Sequence, residues 1–293
     1  AVVANAKEQG FTVQVFPTTS ELFAGPASTA DIRPVTEADL LGRGRIDTDI
    51  SSISGYLTGQ RVLVTGATGF LGGHLVRSLA QRYCVIATGR SPALDDLSSL
   101  DRVTTVRTDL GDARCVELLA AAVPTLIVHA AARSSPWGRR QDFDRDNVTA
   151  TENIIEVATR CGAPVVAIST PTVYMDGGGR TAIREDAPLP ARSINDYAAT
   201  KLIAERRVGD FATRSGLPAA ILRPQAIVGA GDPSVAPRFL RVADRGFFPL
   251  IDGGRAKIDM THVANVVAAV VSTLDALDRR AWPGVEVFNI TNG

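Results

Sequence analysis

Cysteine is scarce in this chain of 293 residues. Three occur, Cys84, Cys115 and Cys161, and no two form a C-x-x-C pair. That spacing excludes a disulfide framework and a cysteine zinc site, and it suits a reducing compartment. Each reads as a small buried apolar residue. Histidine is equally scarce: His74, His129 and His262 stand too far apart for metal-ligand spacing, so no metal is expected. An excess of one charge is missing too. The 31 basic and 31 acidic residues cancel, and no block of like charge occurs, so nucleic acid is not an expected partner. No run of about eighteen apolar residues exists, which predicts no membrane contact within the chain. The most apolar stretch, Leu118–Ala132, is broken by Pro124. The opening AVVANAKEQG lacks the basic and apolar regions of a signal peptide, and a cytoplasmic setting is expected. It also lacks an initiator Met, and both ends read as cut, so further segments are expected beyond them.

What is present is ordinary globular material, 45% apolar and 21% charged. The length suits one large domain or two small ones. From Arg61 onward, short β-branched runs alternate with helical periodicity. Strands are predicted at Arg61–Gly66, Cys84–Gly89, Val103–Leu110, Thr125–Ala132, Pro164–Thr170 and Ala219–Pro224. Helices are predicted at Phe70–Arg82, Ala113–Ala122, Asn147–Cys161 and about Asp196–Ser215. Such alternation means right-handed βαβ units and a parallel sheet covered on both faces. The expected fold is therefore α/β, a doubly wound, Rossmann-like parallel sheet. A small C-terminal substrate region, truncated, completes it. Residues 1–59 differ: a strand near Phe11–Pro17 and a short acidic helix near Thr36–Arg43 sit among Pro, Gly, Ser and Thr. They read as an arm or linker before a domain at 60–293, whose substrate lid begins at about Ala230.

The stretch VLVTGATGFLGGHL joins the first of these strands to its helix. Gly66, Gly69 and Gly72 permit a tight turn and a close backbone approach, and the helix N-terminus offers free N–H groups to an anion. A pyrophosphate is the expected guest, held by Gly66, Thr68, Gly69, Phe70, Leu71 and Gly72. The second strand ends in ATGRS, where an acid would bind ribose hydroxyls. Arg90 stands there instead and suits a 2′-phosphate by charge and by forked geometry. NADP(H) is therefore favoured, with NAD(H) left open. Asp109, in RTDL at the next strand's carboxyl end, is placed to reach the adenine ring or to cap its own loop.

Taken in order, TGATGFLG, HAAA at His129–Ala132, NVTATENIIEVA at Asn147–Ala158, STPTVY at Ser169–Tyr174, YAATK at Tyr197–Lys201 and LRPQAIVGAGD at Leu222–Asp232 resemble the extended short-chain dehydrogenase/reductases. The resemblance covers about Gln60 to Gly293. It implies that Tyr197 donates or accepts a proton at the reacting carbon's oxygen. Lys201 would lower the phenol from its usual pKa near 10 and bind the nicotinamide ribose. Thr170 stands where the family often has Ser, and would orient the substrate oxygen, with Ser169 just before it. Asn147 matches an Asn that is mostly structural, with a water-relay role. Leu110, Ala130, Ala131, Ala132 and Pro224 join the cofactor set. A homodimer, through the YxxxK helix and the one before it, is the assembly that the resemblance implies.

Within the superfamily, STPTVY, the segment Ile183–Val208, LRPQAIVGAGD and Phe248–Val267 look most like 3β-hydroxysteroid dehydrogenase-type reductases, including 2-alkyl-3-oxoalkanoate reductases. That implies an apolar 3-oxo or 3-hydroxy small-molecule substrate. The alternative is a nucleotide-sugar epimerase or 4,6-dehydratase. Pro171 and Thr172 replace the extra acid/base pair of the dehydratases, which argues against that chemistry but not against an epimerase. The segment Asp31–Gly66 is similar to the linker of membrane-anchored capsular-polysaccharide dehydratases, so the parent polypeptide could be anchored through preceding segments. A non-catalytic dinucleotide-binding regulator is a second alternative, disfavoured because such relatives lose YxxxK. Phe239, Phe247 and Phe248 would line an apolar lid, or simply pack its core, and Arg255 lies where sugar-nucleotide members hold a phosphate.

Overall fold

In a computed structural model of the chain, the described residues are 59–135, 137–178, 180–244, 253, 259–279 and 281–292, together with strands β1 (Gln14–Val15) and β2 (Arg33–Pro34). The chain divides into two compact units, Ala1–Ile46 with Ser234–Ala256, and Asp47–Pro233 with Lys257–Gly293. In the first unit β1 pairs antiparallel with β2, and Val235–Asp244 is helical. The acidic helix expected at Thr36–Arg43, the side chain of Phe239, and Phe247, Phe248 and Arg255 lie outside the described residues.

The second unit is built on seven parallel strands. In chain order they are β3 (Arg61–Thr65), β4 (Cys84–Gly89), β5 (Val103–Arg107), β6 (Leu126–His129), β7 (Val165–Ile168), β8 (Ala219–Pro224) and, after the small parallel pair β9 (Ala226–Val228) and β10 (Met260–His262), β11 (Val285–Ile290). The spatial order is β11-β8-β7-β6-β3-β4-β5. The order reverses between β3 and β6, and the carboxyl ends on either side of that switch leave a crevice for a ligand.

Alternation along each strand makes two cores from one run of apolar residues. Val62, Val64, Leu126, Val128, Val166, Ile168 and Leu222 face one side. They meet helices α1 (Phe70–Leu79) and α5 (Val263–Asp278) through Leu75, Val76, Leu79, Val270 and Leu274. Leu63, Ile127, Val165, Ala167 and Ile221 face the other side. There they meet α2 (Arg114–Ala120), α3 (Ala150–Cys161) and α4 (Asp196–Ser215) through Cys115, Leu119, Ile154, Val157, Val208 and Phe211. Each such aliphatic side chain contributes roughly 1.5–3 kcal/mol of burial free energy. Strand ends come earlier than the sequence predicts. β6 stops at His129 rather than Ala132, β5 at Arg107 rather than Leu110, and β7 at Ile168 rather than Thr170. The residues just past these ends leave the ladder. Ala130–Ala132 and Leu110 wall the crevice, and Thr170 caps a turn. Helix α5 has no sequence counterpart in the reading above, because a largely apolar segment offers little amphipathic contrast. Among the described residues, no helix is long and apolar enough to cross a membrane.

Candidate functional site

The loop between β3 and α1 turns at Gly66, whose φ is +67°, a left-handed value that favours glycine. A Cβ there would lie 2.9 Å from the Ala131 backbone of β6's exit loop. At Gly72 a Cβ would lie 2.0 Å from the Gly66 carbonyl oxygen, so α1 packs on its own entry loop only because that Cβ is missing. Gly69 caps α1 with no side-chain hydrogen bond, which leaves first-turn N–H groups free to serve an anion. Beside this loop lies a cleft of about 310 Å³. Its walls include Gly66, Thr68, Gly69, Gly89, Arg90, Asp109 and Ala130–Ala132. A backbone brought this close, an uncapped helix start and a cleft at the switch point suit a dinucleotide pyrophosphate.

Charged side chains from four segments meet at the β4 end of the cleft. Asp146, in the π-helical turn Asp144–Thr149, receives Arg90 Nη1 and Arg145 Nη1 on Oδ1, each at 3.2 Å. Its Oδ2 accepts a hydrogen bond from Arg133 Nε at 3.1 Å and lies 3.0 Å from Arg133 Nη2 as an ion pair. Asp109 Oδ1 accepts the Gly111 N–H at 2.9 Å, and Oδ2 accepts Arg145 Nη2 at 2.5 Å. Burial pushes the Asp109 carboxyl up, but the hydrogen bonds from Arg145 and Gly111 outweigh it and hold the group below its usual range. Of its two expected roles, Asp109 performs the loop cap, and its other oxygen is taken by Arg145.

The second cluster lies along α4. Asn195 caps this helix by accepting the Ala198 N–H at 2.8 Å, which places Tyr197 in its first turn and Lys201 one turn on. Thr170, just past β7, is near enough to the half-buried Tyr197 phenol to influence its proton. The Thr170 hydroxyl also meets Thr172 Oγ1 at 2.8 Å. Burial raises the phenol's pKa above its ordinary value, with the nearby Thr170 side chain opposing. The lowering expected from Lys201 is therefore not the net direction here. Lys201 is buried and donates through Nζ to the Ile168 carbonyl at 2.7 Å. Burial lowers its pKa to about 8, while Glu205 raises it.

Glu205, one further turn along, forms a buried bidentate pair with Arg223 of β8, at 2.9 and 2.6 Å. The Arg223 guanidinium lies 4.7 Å from the Tyr174 ring centroid and donates to the Tyr174 hydroxyl. Tyr174 in turn donates to Asn289 Oδ1 of β11 at 3.2 Å. Asn289 closes the network onto Ile183 O and Glu185 Oε1. Neither Glu205 nor Arg223 was singled out from the sequence. The i,i+4 spacing of Lys201 and Glu205 was the available signal.

A buried chain joins the two clusters. The Ala131 N–H donates to Thr65 Oγ1 at 3.0 Å, and Thr65 Oγ1 lies 2.9 Å from His129 Nδ1. His129 Nε2 lies 3.0 Å from Thr151 Oγ1, whose own proton goes to Asn147 O at 2.6 Å. Thr151 must therefore accept from the ring, which puts the proton on Nε2 and makes Nδ1 the acceptor for Thr65. Burial, then the Lys201 charge, lower the His129 pKa to about 3, so the ring is neutral. Asn147 accepts the Arg133 N–H on Oδ1 at 2.7 Å and donates from Nδ2 to Thr200 at 3.0 Å. It ties the cleft wall to α4 and is fully occupied in doing so.

Of the cofactor residues expected from the sequence, the cleft brings together Gly66, Thr68, Gly69, Arg90, Asp109, Leu110 and Ala130–Ala132. Phe70, Leu71, Gly72, Pro224, Tyr197 and Lys201 are not among its lining, whereas Gly89, beside Arg90, is, as are Gly111 and Asp146, unremarked in the sequence. Among the described residues, no group of three or more His, Cys, Asp or Glu is placed to hold a metal.

The family model for the NAD dependent epimerase/dehydratase family matches residues 62–291. The 2-alkyl-3-oxoalkanoate reductase of Stenotrophomonas maltophilia is 34% identical over 246 residues, covering 80% of this chain and 71% of the relative. The human decarboxylating sterol-4-alpha-carboxylate 3-dehydrogenase is 28% identical over 253 residues, covering 85% and 66%. Among solved structures, MoeE5 in complex with UDP-glucuronic acid and NAD is 31% identical, with a TM-score of 0.65, covering 80% of this chain and 76% of the other. With the parallel sheet, the glycine loop and this match in hand, the chain belongs to the NAD dependent epimerase/dehydratase family, the extended short-chain dehydrogenase/reductases, a family of enzymes.

Proposed function

We propose that the chain is an oxidoreductase that interconverts a 3-oxo and a 3-hydroxy group on an apolar small molecule, using NADP(H). The observation that carries this is the placing of Tyr197 beside Thr170 at the carboxyl end of β7, with Lys201 one turn along the same helix. Bound nicotinamide supplies or removes a hydride at the carbonyl carbon. Tyr197 gives its phenolic proton to the developing alkoxide, and Thr170 donates a hydrogen bond to the same oxygen. Lys201, charged at neutral pH and fixed on Ile168 O, stabilises the phenolate left behind. Pro171 and Thr172 carry no group able to serve as a further acid or base, which suits simple hydride transfer. The choice of a 3-oxo substrate follows the reductase and sterol dehydrogenase relatives, and the choice of NADP(H) follows Arg90 in the cleft wall.

The experiment is turnover of a 2-alkyl-3-oxoalkanoate with NADPH and with NADH, followed by loss of reduced nicotinamide. Tyr197→Phe should lower kcat by about 10²–10⁴-fold and leave cofactor affinity within about twofold. Equal rates for the two proteins would sink the catalytic assignment and favour a binding module. A second reading, nucleotide-sugar epimerase, is favoured by the likeness to MoeE5 in its UDP-sugar and NAD complex. Tightly retained NAD⁺, with UDP-sugar conversion and no net change in nicotinamide redox state, would select it.

A further inference from the structure

Three guanidinium groups and two carboxylates gather at the β4 end of the cleft, so the cluster carries one net positive charge. Arg90 and Arg145 come from different elements, yet both donate to the same oxygen, Asp146 Oδ1, at 3.2 Å. Two guanidinium groups that reach one oxygen atom also lie close enough to each other to reach one anion at the cleft edge. We propose that Arg145 is the second arm of a clamp, with Arg90, for a phosphate dianion on the adenosine ribose of the cofactor, and that Asp146 and Asp109 hold the two arms ready. This rests on the NADP(H) reading above and adds to it an arm, a holding mechanism and a residue outside the β4 turn.

The pattern of partners makes the exchange feasible. The Asp146 side chain is only 9% exposed, whereas those of Arg90 and Arg145 are 56% and 46% exposed. Both arms can turn toward a ligand while the carboxylate stays fixed. When they leave, Asp146 keeps the hydrogen bond from Arg133 Nε at 3.1 Å and the ion pair with Arg133 Nη2 at 3.0 Å, and Asp109 keeps the Gly111 N–H. Neither carboxylate is stranded, so the exchange avoids the penalty of an unpaired buried charge. Arg145 also has space made for it. A Cβ on Gly111, in the cleft wall, would lie 2.9 Å from Arg145 Cγ and Cζ, so any larger residue there would displace the guanidinium. The opposing possibility is that the same carboxylates accept ribose hydroxyls from a cofactor without the phosphate, and binding measurements separate the two.

The test is equilibrium binding of adenosine 2′,5′-bisphosphate and of 5′-AMP, which differ only in the phosphate at issue, to the purified chain, with NADPH and NADH in parallel. The wild type should prefer the bisphosphate by about tenfold or more. Arg145→Gln should lose about tenfold of that preference and keep its 5′-AMP affinity within about twofold. Arg145→Lys keeps a charge for Asp109 but cannot fork, so it should bind the bisphosphate more weakly than the wild type. It also serves if Arg145→Gln fails to fold. Full preference in both variants, with loss in Arg90→Gln, would overturn the clamp and leave the NADP(H) reading standing. A wild type that binds 5′-AMP at least as well as the bisphosphate would overturn that reading and the clamp with it.

Discussion

At the carboxyl end of β4 the charged groups meet at the rim of the cleft, whereas along α4 they meet in the dry interior. Arg90 and Arg145 are about half exposed, share their carboxylates, and have substitutes waiting when a bond is released. Lys201, Glu205 and Arg223 are buried, and each bond there is consumed. Exposed ion pairs contribute little to stability, so the first region is free to choose a ligand by exchanging partners. Buried ones are costly to break, so the second can hold a proton's affinity away from its value in water. One region is built to rearrange and the other to stay put.

The sharpest way to break this comparison is Glu205→Gln. It leaves Arg223 charged, buried and without its carboxylate, and should cost about 3–5 kcal/mol of stability in a denaturant titration. Cofactor affinity should change little. The alkaline limb of the kcat profile, expected near a pH of about 8 from Lys201, should move down, because burial then acts without the opposing charge. Unchanged stability would mean that the α4 network is as exchangeable as the arginine cluster.

Gly72→Ala probes the other region's scaffold. A Cβ placed 2.0 Å from the Gly66 oxygen must push the loop away. The expected cost is roughly 1–3 kcal/mol, with a larger proportionate loss of nucleotide affinity than of folding. Gly69→Ala makes the control. Its nearest contact would be 3.2 Å, so it should be far milder in the same titrations.

The smallest effect concerns the chain that joins the regions. The folded His129 pKa, about 3, lies below its ordinary value of 6.5, so folding favours the neutral ring. The contribution is fully present above 6.5 and is lost as pH falls from there toward 3. The slope is at most about 1.4 kcal/mol per pH unit. Denaturation midpoints between about pH 5 and 6.5 should show this slope in the wild type and lose it in His129→Gln. An unchanged slope would show that the ring is not held neutral.

Much of this could be read beforehand, and the reasons are local. Alternating strands and helices, the glycine loop after β3, and the shared face of Tyr197 and Lys201 all depend on residues within a few positions of each other. The misses depend on distant partners. Arg90 meets Asp146 across 56 positions, Thr65 meets His129 across 64, and Arg223 meets Glu205 across 18. The expected effect of Lys201 on Tyr197 failed for a related reason: burial depends on everything packed around the phenol, and here it outweighs the opposing influence.

By itself, then, the sequence determined the parallel α/β sheet, the family, and the shared helix of Tyr197 and Lys201, because backbone periodicity and helix spacing are short-range. Only the tertiary structure decided which carboxylate oxygen gathers Arg90 and Arg145, which tautomer His129 adopts, and how far burial shifts Tyr197 and Lys201. Those depend on distances and dielectric surroundings that come into existence only when strands far apart in the chain lie side by side.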